Sequence, residues 1–332
     1  MGQEPDVERP RVTVLGASGF VGSAVTAALA RRDIRLRLVA RRPAAGPAGA
    51  VAKIETCTAD LTAPGAVAAA VEGADAVINL VLHESGWRGA GDPAGEGTNV
   101  GVLRDLVVAL RHGGRPAPVV VFAGSTSQIG VPPRVPIDGT ETDHPVTAYD
   151  RQKQAGEELL RAETRSGALS GITLRLPTVF GPGPTPAAQD RGVVAAMTRR
   201  ALAGQPLTLW GNGSVQRDLL YVDDAGAAFA AALDRPETLA GRHWLLGSGR
   251  GIDLRELFGT IAEVVAERTG RPKVPVVSVP APAGATVTDA HSLVADSSAF
   301  RSVTGWCPRV SLREALGRTV AALADPAGAR RG

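Results

Sequence analysis

Cysteine, lysine and tyrosine are scarce in this chain of 332 residues, which has two cysteines, three lysines and two tyrosines. Cys57 and Cys307 lie far apart and fall in no Cys-x-x-Cys or Cys/His ligand spacing, which argues against a disulfide framework and a structural zinc. Both are expected to be reduced, small apolar side chains, and no metal site is expected. No apolar run reaches the length that crosses a bilayer, and the polar start Gly2–Arg11 is not a secretory signal. A soluble, cytoplasmic protein without a membrane partner is therefore expected. Charge of one sign is also never concentrated: the formal net charge of +3 comes from scattered arginines, with no basic stripe interleaved with aromatics. Nucleic acid is not an expected partner. The length allows one large α/β domain with an annex, or two domains.

What the chain does have is alternation. Arg11–Leu15 reads as a buried strand, Gly22–Arg32 as a helix of good helix formers, and Ile34–Ala40 as a second strand. A Pro/Gly/Ala loop at Pro43–Ala50 precedes a strand ending near Thr58, a helix over Pro64–Glu72 and a strand over Ala76–Val81. The pattern continues with a helix over Gly97–Arg111, a strand over Val119–Ala123, a helix carrying Tyr149 to about Arg165, and a strand over Gly171–Leu176. Such alternation is the signature of βαβ units, and right-handed crossovers make it an α/β fold with a doubly wound, Rossmann-type parallel sheet. Beyond Gly181 the elements shorten, Gly/Pro-rich loops multiply, and Arg271–Pro282 is a Pro-rich connector. The expected organisation is a dinucleotide-binding domain over 1–180, rejoined by about 219–245, with a smaller irregular substrate-binding lobe over most of 181–325.

Gly16-Ala-Ser18-Gly19-Phe20-Val21-Gly22 puts glycines at G-x-x-G-x-x-G spacing between the first strand and the first helix. A tight turn there lets backbone amides and a helix N-terminus approach a pyrophosphate. An ordinary glycine turn is the alternative, and the position after the first strand weighs against it. At the end of the second strand an acidic residue would bind the ribose hydroxyls of NAD, but the chain has Ala40-Arg41-Arg42. Arginines there suit a 2′-phosphate and favour NADP(H); otherwise they are solvated loop residues. Val119–Ser127 is a buried strand that ends in the hydroxyls Ser125, Thr126 and Ser127, where ligands meet an open α/β sheet. Hydroxyl clusters also end strands for local hydrogen bonding. Tyr149 and Lys153 stand four apart and share a helix face, so an ammonium beside the phenol would favour its ionised form. That arrangement makes a proton donor and acceptor usable near neutrality. An exposed pair without a role is the alternative. His83 and His144 are read as structural.

The glycine turn, strand-end Ser125 and Tyr149-x-x-x-Lys153 come in an order that resembles the extended short-chain dehydrogenases/reductases, the NAD-dependent epimerase/dehydratase family, over nearly the whole chain. The resemblance implies that Ser125, Tyr149 and Lys153 are catalytic. It implies that Gly16, Ser18, Gly19, Phe20, Val21, Gly22, Asp60, Leu61, Leu80, Asn99 and Pro177 hold or support the cofactor, and that Thr126, Thr178 and Arg191 face the substrate. Arg217-Asp-Leu-Leu-Tyr-Val-Asp-Asp224 looks like the nucleotide-sugar branch, in which the arginine contacts the diphosphate; without the family, Arg217 beside Asp218 reads as a surface ion pair. Dehydratases of this branch carry Asp-Glu directly after the strand-end hydroxyl, where this chain has Thr126 and Ser127. Epimerases retain NAD, which fits poorly with Arg41 and Arg42. Arg37-Leu-Val-Ala-Arg-Arg42, Thr98-Asn-Val-Gly101, Asp143-His-Pro145 and Asp190-Arg-Gly-Val-Val194 look like the dTDP-4-keto-6-deoxyhexose 4-ketoreductases of actinobacterial deoxysugar pathways, which act late in making antibiotic sugars. The resemblance thus implies NADPH-dependent 4-ketoreduction of a dTDP-4-keto-6-deoxy or 2,6-dideoxy hexose, by a homodimer formed through the helix bearing Tyr149. A nucleotide-sugar epimerase, a reductase of a non-sugar ketone and a non-catalytic NADP-sensing protein are the alternatives. Ile129 stands where the family has Tyr, and Asn79-Leu80-Val-Leu82 where it has Asn-x-Ala-Ala, departures that concern the substrate pocket.

Overall fold

Apolar runs without polar alternation become strands covered on both faces. The computed structural model describes residues 9–84, 86, 91–111, 117–185, 188–282 and 285–325. In chain order the elements are β1 (Arg11–Leu15), α1 (Phe20–Leu29), β2 (Arg35–Ala40), β3 (Lys53–Thr58), α2 (Ala66–Val71), β4 (Ala76–Asn79), α3 (Pro93–Glu96) and α4 (Val102–Leu110). Then follow β5 (Val119–Ser125), α5 (Ala148–Arg165), β6 (Ser170–Leu176), β7 (Thr178–Phe180), α6 (Val193–Leu202), β8 (Leu207–Trp210), β9 (Gln216–Tyr221) and α7 (Val222–Ala232). The last are α8 (Pro236–Leu239), β10 (His243–Leu245), β11 (Gly251–Asp253), α9 (Leu254–Thr269), β12 (Val276–Val279), α10 (Ser298–Thr304) and α11 (Leu312–Ala324).

Seven strands form one parallel sheet in the order β3-β2-β1-β4-β5-β6-β10. The order reverses between β1 and β4, and the carboxyl ends of those strands open the crevice in which doubly wound sheets bind ligands. Side chains alternate between the faces. Val121 and Ala123 of β5 pack with Val25 and Leu29 of α1 and Phe229 of α7, whereas Val120 and Phe122 pack with Leu103 and Leu106 of α4 and Leu160 of α5. α7 lies close on α1 because Gly226 has no side chain; a Cβ there would sit 2.6 Å from the Ala24 backbone. A second core gathers Val194 of α6, Phe258 and Ile261 of α9, and Leu316 of α11 around Leu209 and Tyr221. Next to it β7, β9 and β11 make a three-stranded sheet, and β8 pairs with β12. Within 219–245, α7 and β10 lie on the main sheet, while the last residues of β9 belong to the three-stranded one.

Several elements differ from the sequence expectation, each for a local reason. α1 starts at Phe20 because Gly19 is its extended N-cap, and it ends at Leu29. β4 stops at Asn79, whose side chain accepts the Val81 N–H at 3.1 Å and turns the chain out of the sheet. The helix expected from Gly97 begins at Pro93 behind an Asp92 cap and passes through a π-helical turn, Gly97–Gly101, before α4. β5 ends at Ser125, and Thr126 and Ser127 of the expected hydroxyl-bearing strand end belong to a 3-10 turn over Thr126–Ile129 capped by Ser125. Within the Pro-rich connector, Val276–Val279 pairs with β8, the β-branched residues overriding their proline neighbours. Cys57 is half-buried and Cys307 exposed, so the second is no packed apolar side chain. No helix among the described residues is long and apolar enough to cross a membrane.

A buried ionic cluster ties α5 to β6 and β10 beneath the end of β5. Glu157 accepts two hydrogen bonds from Arg175 at 2.9 Å and lies 2.8 Å from His243 Nδ1 and 2.6 Å from Arg161. Arg175 also forks onto Asp143 at 2.7 and 2.6 Å. Against the penalty of burial, the hydrogen bonds from His243 and Arg175 depress the Glu157 carboxyl from 4.5 to about 2. A depressed carboxyl stabilises the fold above its unfolded value and loses that contribution as pH falls towards the folded value. About 3 kcal/mol should therefore disappear between about pH 5 and pH 2. Urea unfolding should show the gap between the parent and Glu157→Gln narrowing over that interval, and a constant gap would contradict the assignment.

Candidate active site

β1 is followed by Gly16 at φ +85°, a conformation that favours glycine. A Cβ on Gly22, in the first turn of α1, would fall 2.1 Å from the Gly16 carbonyl oxygen, so the turn and helix approach as closely as backbone allows. Gly19 caps the helix, and Ser18, Phe20 and Val21 surround its start. The first amides of a helix have no partner within it. Here they meet the crevice between β1 and β4, a setting that fits a pyrophosphate. Arg41 and Arg42 directly follow β2, with Arg41 exposed and 3.6 Å from Glu84. Asp60 and Leu61 lie just past β3, and Leu80 just past β4. Because the strands are parallel, all of these residues share one edge of the sheet. The Thr62 hydroxyl, followed by the Thr62 N–H, holds the Asp60 carboxyl below its ordinary value.

β5 ends at Ser125, and α5 starts beside it behind a capping box of Thr147 and Asp150. The half-buried Tyr149 phenol lies beside the Ser125 side chain. Lys153, one turn along, is buried, with Nζ 5.6 Å from the centre of the Tyr149 ring, and it donates to the Ala123 carbonyl at 2.7 Å. Ser125, Tyr149 and Lys153 are thus brought together, but the phenol is raised where the spacing led to the expectation of a lowered one. Burial raises the phenol to about 12, opposed by the neighbouring Ser125 hydroxyl and reinforced by the Asp150 charge. Burial also lowers Lys153 to about 8. The reason is positional: the ammonium is bound to a β5 carbonyl, while a carboxylate is the phenol's chain neighbour. Tyr149 therefore keeps its proton at neutrality, the state of a general acid.

Asn99 sits buried in the π turn. It accepts the His83 N–H at 2.8 Å and donates to Gln152, the neighbour of Lys153, at 2.8 Å. π turns within helices recur at functional sites, and nothing in the residues of Gly97–Gly101 announced this one. Thr126 is buried, and its hydroxyl donates to the Leu176 carbonyl at 3.3 Å, which engages the proton with backbone instead of a substrate. Pro177 joins β6 to β7, which Thr178 opens, and Arg191 donates to the Glu84 carbonyl. Arg217 does not pair with Asp218. Its guanidinium donates to the carbonyls of Gln216 at 3.0 Å, His291 at 2.6 Å, Asp289 at 3.0 Å and Thr288 at 3.4 Å, whereas buried Asp218 accepts from Ser248, Gly249 and Ala295. Two polar residues of the site were missed in the sequence. Gln128 accepts the Ser125 N–H at 3.0 Å and donates to Glu157 at 3.3 Å; Asp150 accepts the Ser127 hydroxyl at 2.5 Å. The Ser-x-x-Gln spacing of a capping box was the available signal for Gln128.

The model for the NAD dependent epimerase/dehydratase family matches residues 12–247. A UDP-glucose 4-epimerase of Mycolicibacterium smegmatis is 30% identical, over 74% of this chain and 75% of its own length. A dTDP-6-deoxy-L-talose 4-dehydrogenase (NAD(P)(+)) of Kitasatospora kifunensis is also 30% identical, over 94% of this chain and 95% of its own. The solved structure of MoeE5 in complex with UDP-glucuronic acid and NAD is similar with a TM-score of 0.77 at 26% identity, covering 94% of this chain and 98% of that one. With the family match running from β1 through β10, this chain belongs to the NAD-dependent epimerase/dehydratase family, the extended short-chain dehydrogenases/reductases.

Proposed function

We propose that the protein reduces the 4-keto group of a dTDP-4-keto-6-deoxyhexose, or of its 2,6-dideoxy counterpart, with NADPH. The observation that carries this reading is the gathering of Ser125, Tyr149 and Lys153 at the end of β5, with no carboxylate at Thr126 or Ser127 to drive elimination. The bound nicotinamide supplies the hydride. Tyr149 gives its proton to the carbonyl oxygen, Ser125 orients that oxygen and stabilises its growing charge, and Lys153 holds the nicotinamide ribose. Arg41 and Arg42 take the 2′-phosphate, and the glycine turn takes the pyrophosphate. Arg217 reaches the sugar diphosphate by exchanging some of its carbonyl partners for phosphate oxygens, the better acceptors for a planar fork. The Kitasatospora relative, named for chemistry at carbon 4 of a dTDP-6-deoxy sugar, supports the substrate class.

The M. smegmatis relative favours a second reading, epimerisation at carbon 4 with retained NAD. The two differ in cofactor balance. Given enzymatically made dTDP-4-keto-6-deoxyglucose and its 2-deoxy relatives, the protein should oxidise one NADPH per 4-hydroxy sugar, with the configuration read by NMR. Interconversion of UDP-glucose and UDP-galactose without net cofactor use would replace the first reading by the second, and failure of both would favour a binding protein.

A further inference from the structure

We propose that Gln128 is a positioning residue whose buried amide bridges the Ser125 backbone N–H to Glu157 on α5, and so fixes the strand end that presents the Ser125 hydroxyl. The inference rests on the reading of Ser125 as the residue that orients the substrate carbonyl, and deepens it by naming what holds Ser125 in place.

Gln128 is fully buried. Its Oε1 accepts the Ser125 N–H at 3.0 Å and its Nε2 donates to Glu157 Oε2 at 3.3 Å. A backbone N–H can only donate and a carboxylate only accept, so one orientation of the amide satisfies both partners and the reverse satisfies neither. Glu157 is itself held. Arg175 of β6 donates to both of its oxygens at 2.9 Å, while His243 of β10 and Arg161 of α5 meet Oε1 at 2.8 and 2.6 Å. Gly124 leaves room for the amide, since a Cβ there would stand 3.3 Å from Gln128 Oε1 and 2.7 Å from Thr173 Cγ2.

The bridge is the second of two ties between β5 and α5. Tyr149, Lys153 and Glu157 are spaced four apart and share one helix face. Lys153 donates to the Ala123 carbonyl at 2.7 Å, and one turn further on Glu157 reaches the Ser125 N–H through Gln128. The end of the strand is thereby tied to the helix that carries the phenol. Capping of the turn Thr126–Ile129 accounts for the contact between Gln128 and Ser125. It does not account for the contact with Glu157. A glutamate caps as well as a glutamine at this position, but it would set a second carboxylate against Glu157.

Gln128→Met removes the amide at nearly constant side-chain length. The Ser125 N–H then loses its acceptor, and its hydrogen exchange, read by residue on the full chain without substrate or cofactor, should quicken about tenfold relative to Val120–Phe122 at the centre of β5. Gln128→Glu is the discriminating variant. Beside Glu157 the introduced carboxyl has a raised pKa; protonated, it donates to Glu157 and accepts from Ser125 as the amide does, and ionised, it is repelled. Its Ser125 exchange, taken as a ratio to the parent at the same pH, should be near one at about pH 5.5 and about tenfold at about pH 8. Adding Glu157→Gln returns a donor to the pair and should abolish that pH dependence. Turnover of the 4-keto sugar should fall about tenfold in kcat in Gln128→Met at unchanged KM, because only a group facing the developing charge is displaced. Parent-like Ser125 exchange in Gln128→Met overturns the proposal. So does Gln128→Glu that follows the parent at both pH values, since a cap alone tolerates glutamate. Faster exchange with parent kcat also overturns it, because the bridge would then hold the strand end without serving Ser125. Absence of turnover in the parent removes the ketoreductase reading and leaves the exchange ratios to decide the bridge.

Discussion

Tyr149→Phe should lower kcat for the 4-keto sugar by about 10²–10⁴-fold, the usual contribution of a positioned general acid. Only the phenolic oxygen is removed, so the ring, its packing and its distance from Lys153 persist. NADPH affinity and melting temperature should therefore stay close to the parent, and isothermal titration beside steady-state kinetics separates the two effects. Full activity in this variant would sink the assignment. The pH dependence carries a second sign. Burial places the phenol near 12 and Lys153 near 8, so the first group to change charge as pH rises is the ammonium. The basic limb of kcat/KM in the free enzyme should therefore fall near pH 8 and report Lys153, with Lys153→Arg moving it upward because a guanidinium keeps its charge. A limb unmoved in that variant would assign it to another group.

Replacing Arg41 and Arg42 together by Ala should weaken NADPH binding by about 10²-fold and leave NADH within about threefold. Each arginine donates charge-assisted hydrogen bonds to a 2′-phosphate, worth about 1.5–3 kcal/mol before exposure discounts them, and NADH has no such phosphate. Two discounted contacts still amount to roughly two powers of ten. The fold should tolerate the change. Arg41 meets Glu84 at 3.6 Å with both side chains more than half exposed, and such pairs contribute about 1 kcal/mol or less. Fluorescence titration with both cofactors measures the ratio, and an unchanged preference would refute the NADP(H) reading in favour of NAD.

The main sheet was legible from residues alone because hydrophobic runs and glycine punctuation are local signals. Val119–Ala123 could be little else than a strand buried on both faces, and Gly16 and Gly22 declared a close approach of backbone that the Gly16 carbonyl confirms. Element ends were less legible. Asn79 ends β4 through its own side chain, and Gly19 starts α1 early, because a single hydrogen bond or dihedral decides them. The π turn around Asn99 left no periodic trace, since one extra residue in a helix scarcely alters its pattern.

Sequence by itself determined which chemical groups are available: one Tyr-x-x-x-Lys pair, strand-end hydroxyls without the dehydratase carboxylates, and arginines after β2. Residue type and spacing suffice for that, because they are properties of the chain. Only the tertiary structure decided the state of those groups. Desolvation and the Asp150 charge raise the Tyr149 phenol, and the Ala123 carbonyl holds Lys153, where spacing alone led to the expectation of a phenol lowered by the ammonium. Likewise Arg217 faces carbonyls from residues more than 70 positions away and not its neighbour Asp218. Electrostatic environment is a sum over groups that folding brings together from distant parts of the chain, and no local pattern contains it.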